Sequence, residues 1–133
     1  MGAARRVRDI RVYCPVAAST LAALIAGEPG AVERDPTAAA LLAILRTPPL
    51  GDFDRYREVV ELAIGYEGFR PGAGAVPTLG TVGEANWSPT VILTAMYDAD
   101  ADIGMLADRL LAAHPWDVPV IAVSEPYRLL MRG

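Results

Sequence analysis

The sequence predicts an α+β domain with the element order β-α-β-β-α-β and one additional helix. Three observations carry that expectation. Residues 8–15 and 57–66 alternate apolar and polar side chains with the period of a half-buried strand. Residues 90–97 and 118–123 are short apolar runs rich in β-branched residues and bounded by turn signals. Between them lie segments with leucines at helical spacing, each closed by Gly or Pro.

Taken in order, Arg8-Asp9-Ile10-Arg11-Val12-Tyr13-Cys14-Pro15 places Ile10, Val12 and Cys14 on one face and Arg11 and Tyr13 on the other. Pro15 ends this strand. Ala17 to Ala26 follows as a helix, with Leu21, Leu24 and Ile25 as its stripe and Gly27 and Pro29-Gly30 as its stop. Asp35-Pro36-Thr37 opens the additional helix at 36–45: Asp35 suits the N-cap, Pro36 the first helical position. Leu41, Leu42, Ile44 and Leu45 form its apolar side, and Thr47-Pro48-Pro49 ends it. Gly51 to Tyr56 reads as a polar turn anchored by Phe53.

Arg57 to Tyr66 is expected as the second strand, with Val60, Leu62, Ile64 and Tyr66 on one face. A glycine-rich stretch, Gly65 to Glu84, comes next. Glycines at 65, 68, 72, 74, 80 and 83 and prolines at 71 and 77 exclude a helix. It is either a long hairpin connection or a loop presented to a ligand or neighbouring subunit. Pro89 opens the third strand, Thr90 to Tyr97, apolar on both faces. Asp98, Asp100 and Asp102 read as a turn with a helix N-cap; a calcium loop would need a glycine and a distal glutamate that are missing. Helix Ile103 to Ala113 should carry Leu106, Leu110 and Leu111 inward with Met105 beside them, and Pro115 stops it. Val118 to Val123 is the fourth strand, its Pro119 marking an edge or a strand start. Pro126 to Met131 reads as a short terminal helix.

This order is the ferredoxin-like arrangement, a four-stranded antiparallel sheet with helices on one face. The third and fourth strands are apolar on both sides, so partner subunits are expected to cover the open sheet face.

Composition narrows the functional classes. The 133 residues suit a single domain, 1–133, and 53% hydrophobic content supports a full core. No run approaches the roughly 18 apolar residues of a membrane span, and the arginines of the first residues lead into no signal-peptide pattern. One cysteine, Cys14, excludes an internal disulfide and fits a cytoplasmic setting. Net charge is -4, and the 12 basic residues are all arginine and scattered, which argues against nucleic-acid binding. The lack of lysine excludes a P-loop lysine and a Schiff-base lysine.

Two stretches carry a resemblance. Tyr66-Glu67-Gly68-Phe69-Arg70-Pro71-Gly72, with Ala75, Pro77, Gly80, Gly83 and Glu84, resembles a segment of the small inserted domain of YqfO-type proteins, the NGG-one-interacting-factor-three-like family. His114-Pro115-Trp116-Asp117-Val118-Pro119 is similar to the motif that follows the last helix of that domain, and to the corresponding motif of CutA proteins. The resemblance implies a stand-alone PII/CutA-like domain, and CutA proteins are trimers. It also implies an effector cleft between subunits under the loop 68–86, the position PII proteins use. The metal-binding body of YqfO-type proteins has no counterpart here, and the insertion around 30–54 lies outside both patterns.

Candidate chemistry gathers around these stretches. Arg70 suits a carboxylate or phosphate through its guanidinium fork, or else an inter-subunit ion pair. Glu67 and Glu84 flank the loop and Glu61 lies on the second strand; they would act as acid and base, hold a cation, or stand as solvated strand ends. His114 would move a proton or ligate a metal shared between subunits, or else simply close its helix. Tyr66, Phe69, Trp87 and Trp116 would line a pocket or belong to core and interface. Cys14 is a small core residue, and Ser19 and Ser88 sit in no nucleophile motif. The sequence leaves the cofactor unknown. The expected function is binding of a small anionic metabolite or a metal ion in a homo-oligomeric, trimeric assembly. The alternatives are a small enzyme doing acid–base chemistry on a carboxylate-bearing substrate in the same cleft, and a structural partner for another protein.

Overall fold

The computed structural model describes residues 4–132. Nine elements follow one another: β1 (Ala4–Pro15), α1 (Ala18–Ile25), α2 (Ala31–Arg34), α3 (Pro36–Leu45), β2 (Glu61–Phe69), β3 (Asn86–Asp98), α4 (Gly104–Ala113), β4 (Ile121–Val123) and β5 (Tyr127–Leu130). The strands form one antiparallel sheet in the order β2-β3-β1-β4, with β5 also on β1. The architecture is α+β and consistent with a ferredoxin-like fold.

β1 is the spine. β3 pairs with it from Val7↔Asp98 to Pro15↔Thr90. Its other edge is shared by two short strands, β4 at Ile10–Val12 and β5 at Ala4–Val7. Ser124 makes the joint between them. Its N–H donates to the Asp9 carbonyl at 2.9 Å, and its hydroxyl accepts from the Asp9 N–H at 2.8 Å. The Tyr127 hydroxyl then donates to the Asp9 carboxylate at 3.0 Å. Burial and that carboxylate push the Tyr127 phenol up to about 12.

The core lies between one sheet face and the helices. Ile10, Val12 and Cys14 of β1, as their alternation requires, join Val91, Leu93, Ala95 and Tyr97 of β3. Leu21 of α1, Val32 of α2, Leu41 and Leu45 of α3, and Leu106 and Leu110 of α4 close over them. Each fully buried side chain of this size contributes about 2 kcal/mol relative to exposure. Burial pushes the Cys14 thiol up to about 12, with the Asp35 charge adding to the effect. On the other sheet face Tyr13, Ile92, Thr94 and Met96 are only half-buried.

Asp35 caps α3, as its sequence position suggests, and does more than that. One carboxylate oxygen accepts from the N–H groups of Thr37 and Ala38, both at 3.2 Å. The other accepts from the Ala17 N–H at 3.0 Å and the Thr20 hydroxyl at 2.8 Å, tying the start of α1 to the start of α3. Burial opposes its ionisation, but these four bonds outweigh it and hold the carboxyl below its ordinary pKa.

Several sequence expectations are corrected. The segment Pro126–Met131 is not a helix; Tyr127–Leu130 finds β1 as a partner, giving five strands rather than four. The second strand begins at Glu61, not Arg57. Glu58 holds a left-handed φ of 58°, and the Val59 N–H is taken by the Gly51 carbonyl at 3.0 Å, so the alternation before residue 61 belongs to a loop. The third strand starts four residues earlier than Thr90, at Asn86, and the fourth holds only Ile121–Val123. The N-cap position of α4 is Ile103 rather than an aspartate; Asp102 accepts instead from the Gly104 N–H at 2.8 Å. Leu106 and Leu110 face inward, but Leu111 and Met105 are exposed, because α4 covers the sheet with a narrow stripe.

Candidate functional site

The glycine loop and the segment after α4 meet at one end of the sheet. β2 runs out through Glu67-Gly68-Phe69 into residues 70–85, which return to β3 at Asn86. Arg70 donates to the Gly83 carbonyl at 2.5 Å, and the Gly83 N–H donates to the Pro71 carbonyl at 2.8 Å. Both backbone groups of Gly83 are thus used at a φ of +84°, a conformation that costs other residues about 1–2 kcal/mol. These bonds pin the two ends of the loop together. Its middle reaches across to the other segment: the Val76 N–H donates to Asp117 Oδ2 at 2.9 Å and the Thr78 hydroxyl to the Pro115 carbonyl at 2.6 Å.

His114 fixes the opposite wall. It follows the last residue of α4 and is buried. Its Nδ1 accepts from the Trp116 N–H at 3.2 Å, so Nε2 carries the hydrogen and donates to the Tyr13 carbonyl at 2.7 Å. Both ring nitrogens are engaged, and the imidazole lies edge-on to Trp116 with centroids 5.4 Å apart. Burial keeps its pKa below the ordinary histidine value, partly offset by the bond to Tyr13. This arrangement makes His114 the bracket that orients Trp116.

Between the two walls is a cavity of about 320 Å³. Phe69 and Trp116 face it with ring centroids 6.1 Å apart and planes at 46°. Pro71, Pro77, Leu79, Val118 and Val120 extend the apolar lining. Glu67 and Asp117 are its two charged side chains. Asp117 is latched to Val76, but the Glu67 Oε2 is buried and has no hydrogen-bond partner. Burial accordingly pushes the Glu67 carboxyl above its ordinary pKa. A carboxyl so placed can accept or donate one hydrogen bond to a guest, or give up a proton.

Of the residues expected at the site from sequence, Glu67, Phe69 and Trp116 are brought together on the cavity wall. His114 stands behind Trp116. Arg70 is exposed and spends its guanidinium on the loop itself. Glu84 lies exposed at the far end of the loop, where its carbonyl accepts from the Asn86 side chain. Tyr66 falls on the opposite sheet face by the strand alternation, and Trp87 lies over Gly68, where an added Cβ would come within 2.6 Å of its ring. Sequence reasoning missed Asp117, Leu79, Val118 and Val120. Asp117 and Val118 had a signal, since they sit inside the His114–Pro119 motif; Leu79 and Val120 become a wall only once the loop has folded over. Among the described residues no group of three His, Cys, Asp or Glu side chains is gathered for a metal ion. No helix among them is long and apolar enough to cross a membrane.

Fold and site define a small α+β domain with a cleft roofed by the loop between its second and third strands. Among solved structures the chain is similar to a Bacillus cereus protein related to NIF3, with a TM-score of 0.62 over 98% of this chain at 16% sequence identity. The chain spans 28% of the length of that protein, so its NIF3-like fold corresponds to one part of a larger molecule. This is the family whose motifs the glycine loop and the His114–Pro119 stretch resemble. No protein-family model matches the chain, and no curated protein sequence does.

Proposed function

We propose that this chain is a small-molecule-binding module whose site is the cleft beneath the glycine loop. One observation carries the proposal: Glu67, whose buried Oε2 has no hydrogen-bond partner, lines a cavity walled mostly by apolar and aromatic side chains. A native fold rarely leaves such an atom unsatisfied, and a guest would satisfy it. The volume of about 320 Å³ lies at the lower end of the range for ligand pockets. Binding is favoured over acid–base catalysis because both nitrogens of His114 are already committed. The second reading, a small enzyme, draws on Glu67 itself, since a carboxyl with a raised pKa suits a general acid.

The test uses Trp87→Phe, which leaves Trp116 as the sole tryptophan. Titration with phenethyl alcohol, an uncharged probe with a ring-sized apolar body, should shift Trp116 emission saturably. Adding Ala75→Phe, which fills the cavity without a second reporter, should abolish the response. A purely linear response in Trp87→Phe would sink the proposal. Turnover of any bound compound that is lost in Glu67→Gln would decide for the enzyme.

The proposal extends to a cytoplasmic homo-oligomer, a trimer of the PII/CutA-like kind. Leu62, Ile64 and Tyr66 of the edge strand β2 and Trp87 beside them on β3 lie exposed, an apolar row that a neighbouring copy would cover. Light scattering on the purified chain tests this, and a monomer at micromolar concentration would remove it.

A further inference from the structure

We propose that the guest of this cleft is an organic cation, an ammonium group carried on an apolar body about the size of one aromatic ring. The inference rests on the preceding reading of the cleft as a binding site and adds the chemistry of the ligand.

Three independent features point there. The first is charge. The two charged side chains lining the cavity, Glu67 and Asp117, are both acidic, and no arginine lines it among the described residues. The chain has no lysine, and Arg70, the nearest guanidinium in sequence, is turned to the Gly83 carbonyl. An anionic guest would meet two carboxylates and no counter-charge. The second is the ring pair. Phe69 and Trp116, tilted at 46° with centroids 6.1 Å apart, both line the one cavity, and the faces of such rings attract cations. The third is the missing donor. Asp117 Oδ2 takes the Val76 N–H and the Thr78 hydroxyl is spent on Pro115, but Glu67 Oε2 has nothing.

A hydroxyl or amide would supply a donor and no charge. An ammonium supplies the donor and the charge together, and it gains the ring faces as well. Burial disfavours the charge of Glu67 in the empty site, and the positive charge of the ammonium would offset that penalty. The apolar walls Pro71, Leu79, Val118 and Val120 accept the rest of the guest.

The experiment compares three matched probes on the intact chain carrying Trp87→Phe: phenethylammonium, phenethyl alcohol and hydrocinnamate. Trp116 emission reports binding at neutral pH, and calorimetry gives the affinities independently. The ammonium should bind at least about tenfold more tightly than the alcohol, with the carboxylate weakest. Glu67→Gln should erase that preference. Equal binding of alcohol and ammonium overturns the inference and leaves the cleft a binding site. A preference that survives in Glu67→Gln overturns the role given to Glu67. If none of the three binds saturably, both the inference and the reading beneath it fall.

Discussion

Replacing His114 by alanine separates a structural imidazole from a catalytic one. The ring holds two backbone groups, the Tyr13 carbonyl at 2.7 Å and the Trp116 N–H at 3.2 Å, in a buried position. Each such bond contributes about 1 kcal/mol net, and the space left by the ring adds about another 1 kcal/mol. The expected loss is about 3 kcal/mol, a large share of the roughly 5–15 kcal/mol typical of a domain. The variant also changes the pH dependence. Burial depresses the pKa of His114 in the folded chain, whereas the unfolded chain takes up its proton near about 6.5. Between those two values the unfolded state binds more protons, so stability falls as the solution is acidified below about 6.5, by up to about 1.4 kcal/mol per pH unit from this group. Urea unfolding from about pH 5 to pH 8 measures both quantities. His114→Ala should be less stable throughout and nearly flat where the parent slopes. A loss under about 1 kcal/mol, or an unchanged slope, would refute the assignment of both ring nitrogens to the backbone.

Asp35→Ala should cost about 3 kcal/mol in the same assay: about 1 kcal/mol for the lost cap of α3, and the rest for the Ala17 N–H and Thr20 hydroxyl left without an acceptor. Because the folded pKa of Asp35 is depressed, its contribution is present above the unfolded carboxylate range and is lost as pH falls through the folded value. Gly51→Ala should cost at least about 3 kcal/mol in thermal unfolding: Gly51 sits at a φ of +74°, and its new Cβ would meet the Val59 backbone at 2.8 and 2.9 Å. Glu67→Gln should go the other way. The raised pKa of Glu67 means that its contribution is full below the unfolded carboxylate pKa and lost as pH rises through the folded one. The amide should therefore make the empty chain more stable at neutral pH, read as an upward shift in Tm.

Local chemistry was legible in the sequence wherever it was self-contained. Asp35-Pro36 announces a helix start because cap and first-turn proline act within four residues, and the alternation of Ile10, Val12 and Cys14 needs only a sheet to lie in. The failures required a distant partner. Tyr127–Leu130 is a strand because β1 offers an edge 120 residues and more earlier in the chain, and four residues carry too short a pattern to reveal it. Arg57 to Val60 alternates like a strand but is claimed by the turn at Gly51. At the site, the motif residues Glu67, Phe69 and Trp116 were found together because glycine and proline punctuation marks them. Tyr66 and Trp87 share their neighbourhood in sequence and not their side of the sheet, a distinction that depends on register. The role of Arg70 depended on where Gly83 would fall after the loop had closed.

The central place of β1 has a consequence for how the chain comes into being. Synthesis delivers this strand well before the strands that complete one of its edges, Ile121–Val123 and Tyr127–Leu130. Until then Ala4–Val12 presents an open backbone edge to every other nascent chain nearby, the condition under which strands pair with the wrong partner. Arg5, Arg6, Arg8 and Arg11 fall within that very strand. Their like charges repel a second copy of the same segment during the interval before the sheet can close.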